Sequence, residues 1–194
     1  MLHSIFLVNT DRDLVDKEGI SFVEKLERAV AASNDDTGRC NAQVLHPPFS
    51  PSPKSYGYDV TDWALQLLVE SGGCTYFMFS NADNYYLPTL LSELVVKMDE
   101  GRDFIAFDFL THHPRTLTNV VNVQIKRKFI DLGAFVTSYS AVNDSGAKFM
   151  PAGRYTKDMF ARDWHFVEKV ADHAKTVGGQ DNVCLIRKVL LSHN

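Results

Sequence analysis

The sequence predicts an α/β protein: a three-layer α/β/α domain with a mostly parallel central sheet, extended in its second half by a smaller mixed or antiparallel sheet. Three observations lead there. Through the first 110 residues, short apolar runs alternate with stretches of helical periodicity, the strand–helix–strand rhythm that produces a parallel sheet covered on both faces. Beyond His112-His113-Pro114 that rhythm gives way to longer strand-like segments. The 194 residues, 45% hydrophobic and 23% charged, suit one globular domain with an adequate core.

Taken in order, residues 4–8 form a continuous apolar run, as expected of a strand buried on both faces. Ile20, Val23, Leu26 and Val30 recur at helical spacing. A second strand over 42–45 runs into His46-Pro47-Pro48-Phe49-Ser50-Pro51-Ser52-Pro53, whose prolines exclude helix interior and central strand. The second helix is expected to open at Thr61, carry Trp63, Ala64, Leu67 and Leu68 on one side and stop at Gly72-Gly73. Tyr76-Phe77-Met78-Phe79 reads as a buried strand ending abruptly in Ser80-Asn81-Ala82-Asp83-Asn84. Pro88 suits the first turn of a helix with an apolar stripe of Leu90, Leu91, Leu94, Val95 and Met98, closed by Gly101. Residues 104–110 are the next strand. A long strand-like stretch over 123–137, a short 147–150 segment, a helix over 163–174 and a strand over 183–191 complete the chain. We expect a single domain, with 1–110 as one half and 111–194 as the other.

Composition narrows the partners. A net charge of −4 gives no basic footprint for nucleic acid. No apolar run approaches bilayer length, so no membrane span is expected, and the N-terminus lacks the basic start of a signal peptide. Cys40, Cys74 and Cys184 are odd in number and show no CxxC pairing, which points to reduced thiols and a cytoplasmic setting. There is no GxGxxG after the first strand, no phosphate-loop lysine and no GxSxG elbow.

Ligands of open parallel sheets bind beyond the carboxyl ends of the strands, where Asn81, Asp83 and Asn84 fall. Two readings fit them. They can be a polar turn that caps the next helix. Alternatively, Asn81 and Asp83, two apart, can aim hard oxygen ligands at Mg²⁺ or Mn²⁺, with diphosphate and water completing the shell. Asp163, in a helix first turn, is similarly open. An acid there complements the helix dipole, or serves as a general base. Lys126, Arg127 and Lys128 read as a solvated face, His112 and His113 as loop, and Trp63 as packing.

Gly57-Tyr58-Asp59-Val60-Thr61-Asp62-Trp63-Ala64-Leu65, Phe79-Ser80-Asn81-Ala82-Asp83-Asn84, Ile130-Asp131-Leu132-Gly133-Ala134-Phe135, Ala161-Arg162-Asp163-Trp164 and the closing Leu191-Ser192-His193 follow one another along essentially the whole chain. In that order they resemble the GT-A fold glycosyltransferases related to family 2. The resemblance implies transfer of a sugar from a nucleoside-diphosphate sugar, such as a UDP-hexose, to a hydroxyl of a glycan or glycoconjugate, with inversion. It implies Asp163 as the base, Asp83 and His193 as ligands of Mn²⁺ or Mg²⁺, and Asn81, Ala82 and Gly133 beside the donor. It further implies a nucleotide pocket from Asn9, Thr10, Arg12, His46, Tyr58, Asp59 and Asp62. The family's metal motif is usually Asp-x-Asp, and here Asn81 stands at its first position, which shifts metal binding toward Asp83, His193 and the diphosphate. Two alternatives stay open: a sugar nucleotidyltransferase, disfavoured because Asn9-Thr10-Asp11-Arg12-Asp13 has no glycine, and a non-catalytic nucleotide-sugar-binding relative.

Overall fold

The computed structural model describes residues 2–8, 13–34, 40–112, 119–150 and 161–193. Two compact units divide the chain. One comprises Met1–Cys74 with Met150–Met159, the other Thr75–Phe149 with Phe160–Asn194.

In the first unit, β1 (Leu2–Leu7) and β2 (Cys40–Leu45) pair in parallel, with Leu2 opposite Cys40 and Leu7 opposite Leu45. Between them runs α1 (Phe22–Ser33), started by Ser21, whose hydroxyl accepts the Glu24 N–H. Of its expected stripe, Val30 is buried and Val23 and Leu26 are half-buried. Beyond the end of α1, Asn34 ties back to β2, donating to the Ala42 carbonyl at 3.1 Å and accepting the Ala42 N–H at 2.6 Å. The proline-rich segment contains a 3-10 turn, Pro53–Ser55. α2 (Tyr58–Ser71) opens three residues before the expected Thr61, because Gly57 at φ +86° turns the chain directly into the helix. Thr61 then bonds back to the Gly57 carbonyl from inside the first turn. The C-terminal glycine signal holds: Gly72 adopts φ +63°.

The second unit is built on a six-stranded sheet. Its strands are β3 (Tyr76–Met78), β4 (Asn84–Tyr86), β5 (Phe104–Thr111), β6 (Val120–Val121), β7 (Phe135–Ser138) and β8 (Val183–His193), in the order β3-β7-β5-β8-β4 with β6 on β5. Among the described strands of this sheet, β5–β8 is the parallel pair, and β3–β7, β5–β7, β5–β6 and β4–β8 are antiparallel. The expected mostly parallel central sheet is therefore corrected to a mixed one. The route from β5 to β8 passes through helices α4 (Tyr139–Ser145) and α5 (Arg162–Gly178), the kind of crossover that a parallel pair needs. β7, which follows β5 by way of β6, pairs with β5 as an antiparallel neighbour.

The core lies on β5. Ile105, Phe107 and Phe109 join Leu90 and Leu94 of α3 (Leu90–Asp99) with Val136, Ile186, Leu190 and Leu191. Phe104 stacks on Phe135, which leads through Phe166 of α5 to Phe149, stacked on Phe166 at 4.2 Å. Against expectation, 123–137 is not one long strand: only its last three residues belong to β7. The Val123 N–H goes to the buried Asp108 carboxylate (2.8 Å), which also receives Arg187 (3.2 Å) from a register shift between β5 and β8. Arg187 donates in turn to the Val123 carbonyl at 2.7 Å. Lys128 sits at φ +73°, which no strand accommodates, and the chain reaches β7 only after a 3-10 turn, Leu132–Ala134. Among the described residues no helix is long and apolar enough to cross a membrane.

Candidate functional site

β8 extends two residues beyond the predicted 191, so His193 is not a loose end: it lies in register with Asn84 of β4 on one side and Thr111 of β5 on the other. Facing it is the turn that opens at Asp131. Asp131 caps the Leu132–Ala134 turn, its Oδ1 accepting the Gly133 N–H at 2.9 Å. Its Oδ2 lies 3.1 Å from Nδ1 of His193, and both side chains are only 17% exposed. The His112 ring meets His193 edge-on, centroids 5.6 Å apart.

Gly133 is required by close approach. A Cβ there would fall 2.3 Å from Asn84 Nδ2 and 2.9 Å from the Tyr86 hydroxyl, so the turn lies directly on β4. The Tyr86 hydroxyl lies 3.3 Å from the Gly133 carbonyl and 3.4 Å from that of Phe79, which share its one proton. Burial, reinforced by the Asp131 charge, raises the Tyr86 pKa above its ordinary value, against the lowering effect of nearby Ser80 and Asn84. Asn84 is unusual: its amide nitrogen and oxygen are both shut off from solvent, and neither makes a well-formed hydrogen bond.

Asp131 also lines a cavity of about 680 Å³, shared with Asn122, Gln124, Phe129, Asp163 and Trp164. Asp163 reaches that wall from the first turn of α5, half-buried, its Oδ1 accepting the Trp164 N–H at 2.8 Å. Arg127 and Lys128 belong to the same lining, so part of the segment expected to be a solvated face borders a cavity.

The other predicted residues fall as follows. Asn9, Thr10 and Arg12 lie outside the described residues. His46 is exposed, its Nε2 3.3 Å from Glu27. Tyr58 begins α2. Asp59 is occupied by its own loop, accepting from the Ser52 N–H (3.0 Å), the Ser55 hydroxyl (2.5 Å) and the Val60 N–H (2.8 Å). Asp62 accepts the Met150 N–H at 2.7 Å. These four belong to the first unit. In the second, Asn81, Ala82 and Asp83 occupy an exposed turn closed by the Asn84 N–H on the Asn81 carbonyl at 3.2 Å. Asp83 does not line the cavity. It immediately precedes Asn84, the residue opposite His193.

Thus Gly133 and His193 both contact Asp131, Asp163 shares a cavity with that aspartate, and Asp83 sits one residue from the strand partner of His193. From the sequence, Asp131 and Tyr86 take no role of their own, and Asn84 enters only as part of the candidate turn. Their signal was present as the acid two before Gly133 and the last residue of Asn-Ala-Asp-Asn, but pairing across the sheet is invisible in local sequence. Among the described residues, no three His, Cys, Asp or Glu side chains converge as a self-sufficient metal cage. Mg²⁺ commonly takes only one or two protein oxygens and relies on substrate phosphates and water. The exposed Asp83 carboxylate, next in chain to the strand partner of His193, fits a site of that kind.

No protein-family model matches the sequence. No curated protein matches it by sequence. Among solved structures, the chain is similar to S. aureus TarS, a glycosyltransferase, in two crystal structures. With TarS 1-349 the TM-score is 0.61 at 11% identity, over 100% of this chain and 60% of that one. With TarS the TM-score is 0.60 at 11% identity, over 100% of this chain and 37% of that one. The chain thus spans 60% or less of the length of these neighbours, and at that identity the likeness concerns the fold alone. The chain has a glycosyltransferase-like fold.

Proposed function

We propose that the chain is a glycosyltransferase that moves a sugar from a nucleoside-diphosphate sugar, a UDP-hexose in first place, to a hydroxyl of a glycan or glycoconjugate, with inversion. The observation that carries this reading is Asp163 on the wall of the 680 Å³ cavity, in the first turn of α5, within a glycosyltransferase-like fold. The helix N-terminus favours negative charge at that position. In the proposed step the acceptor O–H gives its proton to the Asp163 carboxylate, and its oxygen bonds to the anomeric carbon. The bond from that carbon to the diphosphate breaks, the electron pair leaving with the diphosphate.

Asp83 and His193 would hold Mn²⁺ or Mg²⁺ together with the diphosphate and water, and the cation when bound stabilises negative charge on the leaving group. Asn81, Ala82 and Gly133 are assigned to the donor side. His46, Tyr58, Asp59 and Asp62, with Asn9, Thr10 and Arg12, are assigned to the nucleoside by the sequence resemblance. Asn81, an amide where the metal motif usually has an acid, favours a second reading in which the chain holds a nucleotide-sugar without transferring it.

A panel of nucleotide-sugars screened by thermal shift, with and without Mn²⁺, selects the donor, since preferential binding raises apparent stability. With that donor, Asp163→Asn should abolish transfer and leave donor affinity unchanged. Near-normal turnover in Asp163→Asn removes the base. Donor binding without transfer or hydrolysis in the unsubstituted chain supports the binding-only reading.

A further inference from the structure

The Asp131 carboxylate answers two demands at once. One oxygen caps the Leu132–Ala134 turn through the Gly133 N–H, and the other meets Nδ1 of His193 at 3.1 Å. The cap alone does not require an acid, because asparagine or serine closes such turns equally well. The second oxygen does. A carboxylate only accepts hydrogen bonds, so the ring nitrogen facing it carries a proton, and in the neutral imidazole the lone pair then resides on Nε2. The turn cannot drift from this position. Gly133 lies so close to Asn84 and Tyr86 that no Cβ fits, and His193 is held between β4 and β5 by register on both sides.

We infer that Asp131 is a positioning residue for His193: it fixes the ring in the Nδ1–H tautomer and in one orientation, leaving Nε2 as the nitrogen that ligates a divalent cation. This rests on the proposed reading of His193 as a ligand. It also gives the cavity a physical link to the strand end, because the carboxylate that holds His193 lines the same cavity as Asp163. A carboxylate behind a ligating histidine fixes its tautomer and raises its basicity, and losing it typically lowers metal affinity by about 10- to 100-fold.

The test uses Asp131→Asn, whose amide oxygen can still accept the Gly133 N–H while its NH₂ group donates toward Nδ1 and drives the ring proton to Nε2. Long-range ¹H–¹⁵N spectra of histidine-labelled chain without metal should show His193 protonated at Nδ1, and at Nε2 in Asp131→Asn. Mn²⁺ binding followed by electron paramagnetic resonance in the presence of UDP should weaken about 10- to 100-fold in Asp131→Asn, with the melting temperature close to that of the unsubstituted chain. His193→Ala should weaken it at least as much. An Nδ1–H tautomer that survives in Asp131→Asn overturns the inference. So does unchanged Mn²⁺ affinity in Asp131→Asn when His193→Ala lowers it. If His193→Ala leaves Mn²⁺ affinity unchanged, the ligand reading of His193 fails and takes the metal half of the inference with it; the tautomer spectra then decide the positioning half separately.

Discussion

Two aspartates beside 3-10 turns, Asp59 and Asp131, use the same chemistry to different ends. Asp59 spends its oxygens within its own neighbourhood: Ser52, Ser55 and Val60 all lie within seven residues of it. It locks the proline-rich loop onto the start of α2. Asp131 gives one oxygen to its own turn and the other to a histidine at the far end of the chain, and it stands in a cavity wall. A carboxylate satisfied locally stabilises a loop. One divided between a turn and a remote ring makes the turn's geometry matter to that ring.

The largest effect that would break this contrast comes from Gly133→Ala. Its Cβ would meet Asn84 Nδ2 at 2.3 Å and the Tyr86 hydroxyl at 2.9 Å, so β4 or the turn must move, at about 1–3 kcal/mol for overpacking of this kind. Urea unfolding should show that loss together with altered His193 resonances, and an unchanged midpoint would mean the turn does not bear on β4. A somewhat smaller effect, about 1–2 kcal/mol for lost hydrogen bonds to part-buried groups, is expected of Asp59→Ala, with the His193 tautomer untouched. A change in that tautomer would erase the distinction between the two aspartates.

The smallest effect sharpens the picture of the turn's neighbour. Burial raises the Tyr86 pKa above the ordinary 10.0. The phenol therefore stays protonated in the fold at a pH where the unfolded chain ionises, and the stability it confers is complete below pH 10 and declines above it. Tyr86→Phe should lose less stability than the unsubstituted chain between neutral pH and pH 11. Parallel pH profiles would show that Tyr86 titrates in the fold as it does when unfolded.

Periodic and punctuating signals translated well. In the last helix Val167, Ala171 and Ala174 recur at helical spacing and are buried, and Phe166 and Val170 complete that face. Leu90 and Leu94 of α3 are buried as expected, whereas Leu91 and Val95 of the same predicted stripe are 51% and 47% exposed, because a single helix face is narrower than the sequence stripe suggested. The 123–137 stretch misled. Its apolar residues resemble a strand, but its first N–H is claimed by Asp108, a group far away in sequence, and such competition leaves no local trace. The candidate site divides in the same way: Asp163 and Gly133 were legible from motif order, while Asp131 became a site residue only through its partner on β8.

From the sequence alone came the α/β class, the positions of most helices and the turn at Asn81-Ala82-Asp83-Asn84, because these depend on residue spacing and on the backbone habits of glycine and proline; the candidate base Asp163 came from the family resemblance of its motif. Strand direction, the mixed sheet, the shelter given to His193 and the double duty of Asp131 were decided by the tertiary structure. Each is a pairing between distant segments, and its free energy depends on which neighbour arrives across the sheet rather than on anything either segment prefers by itself.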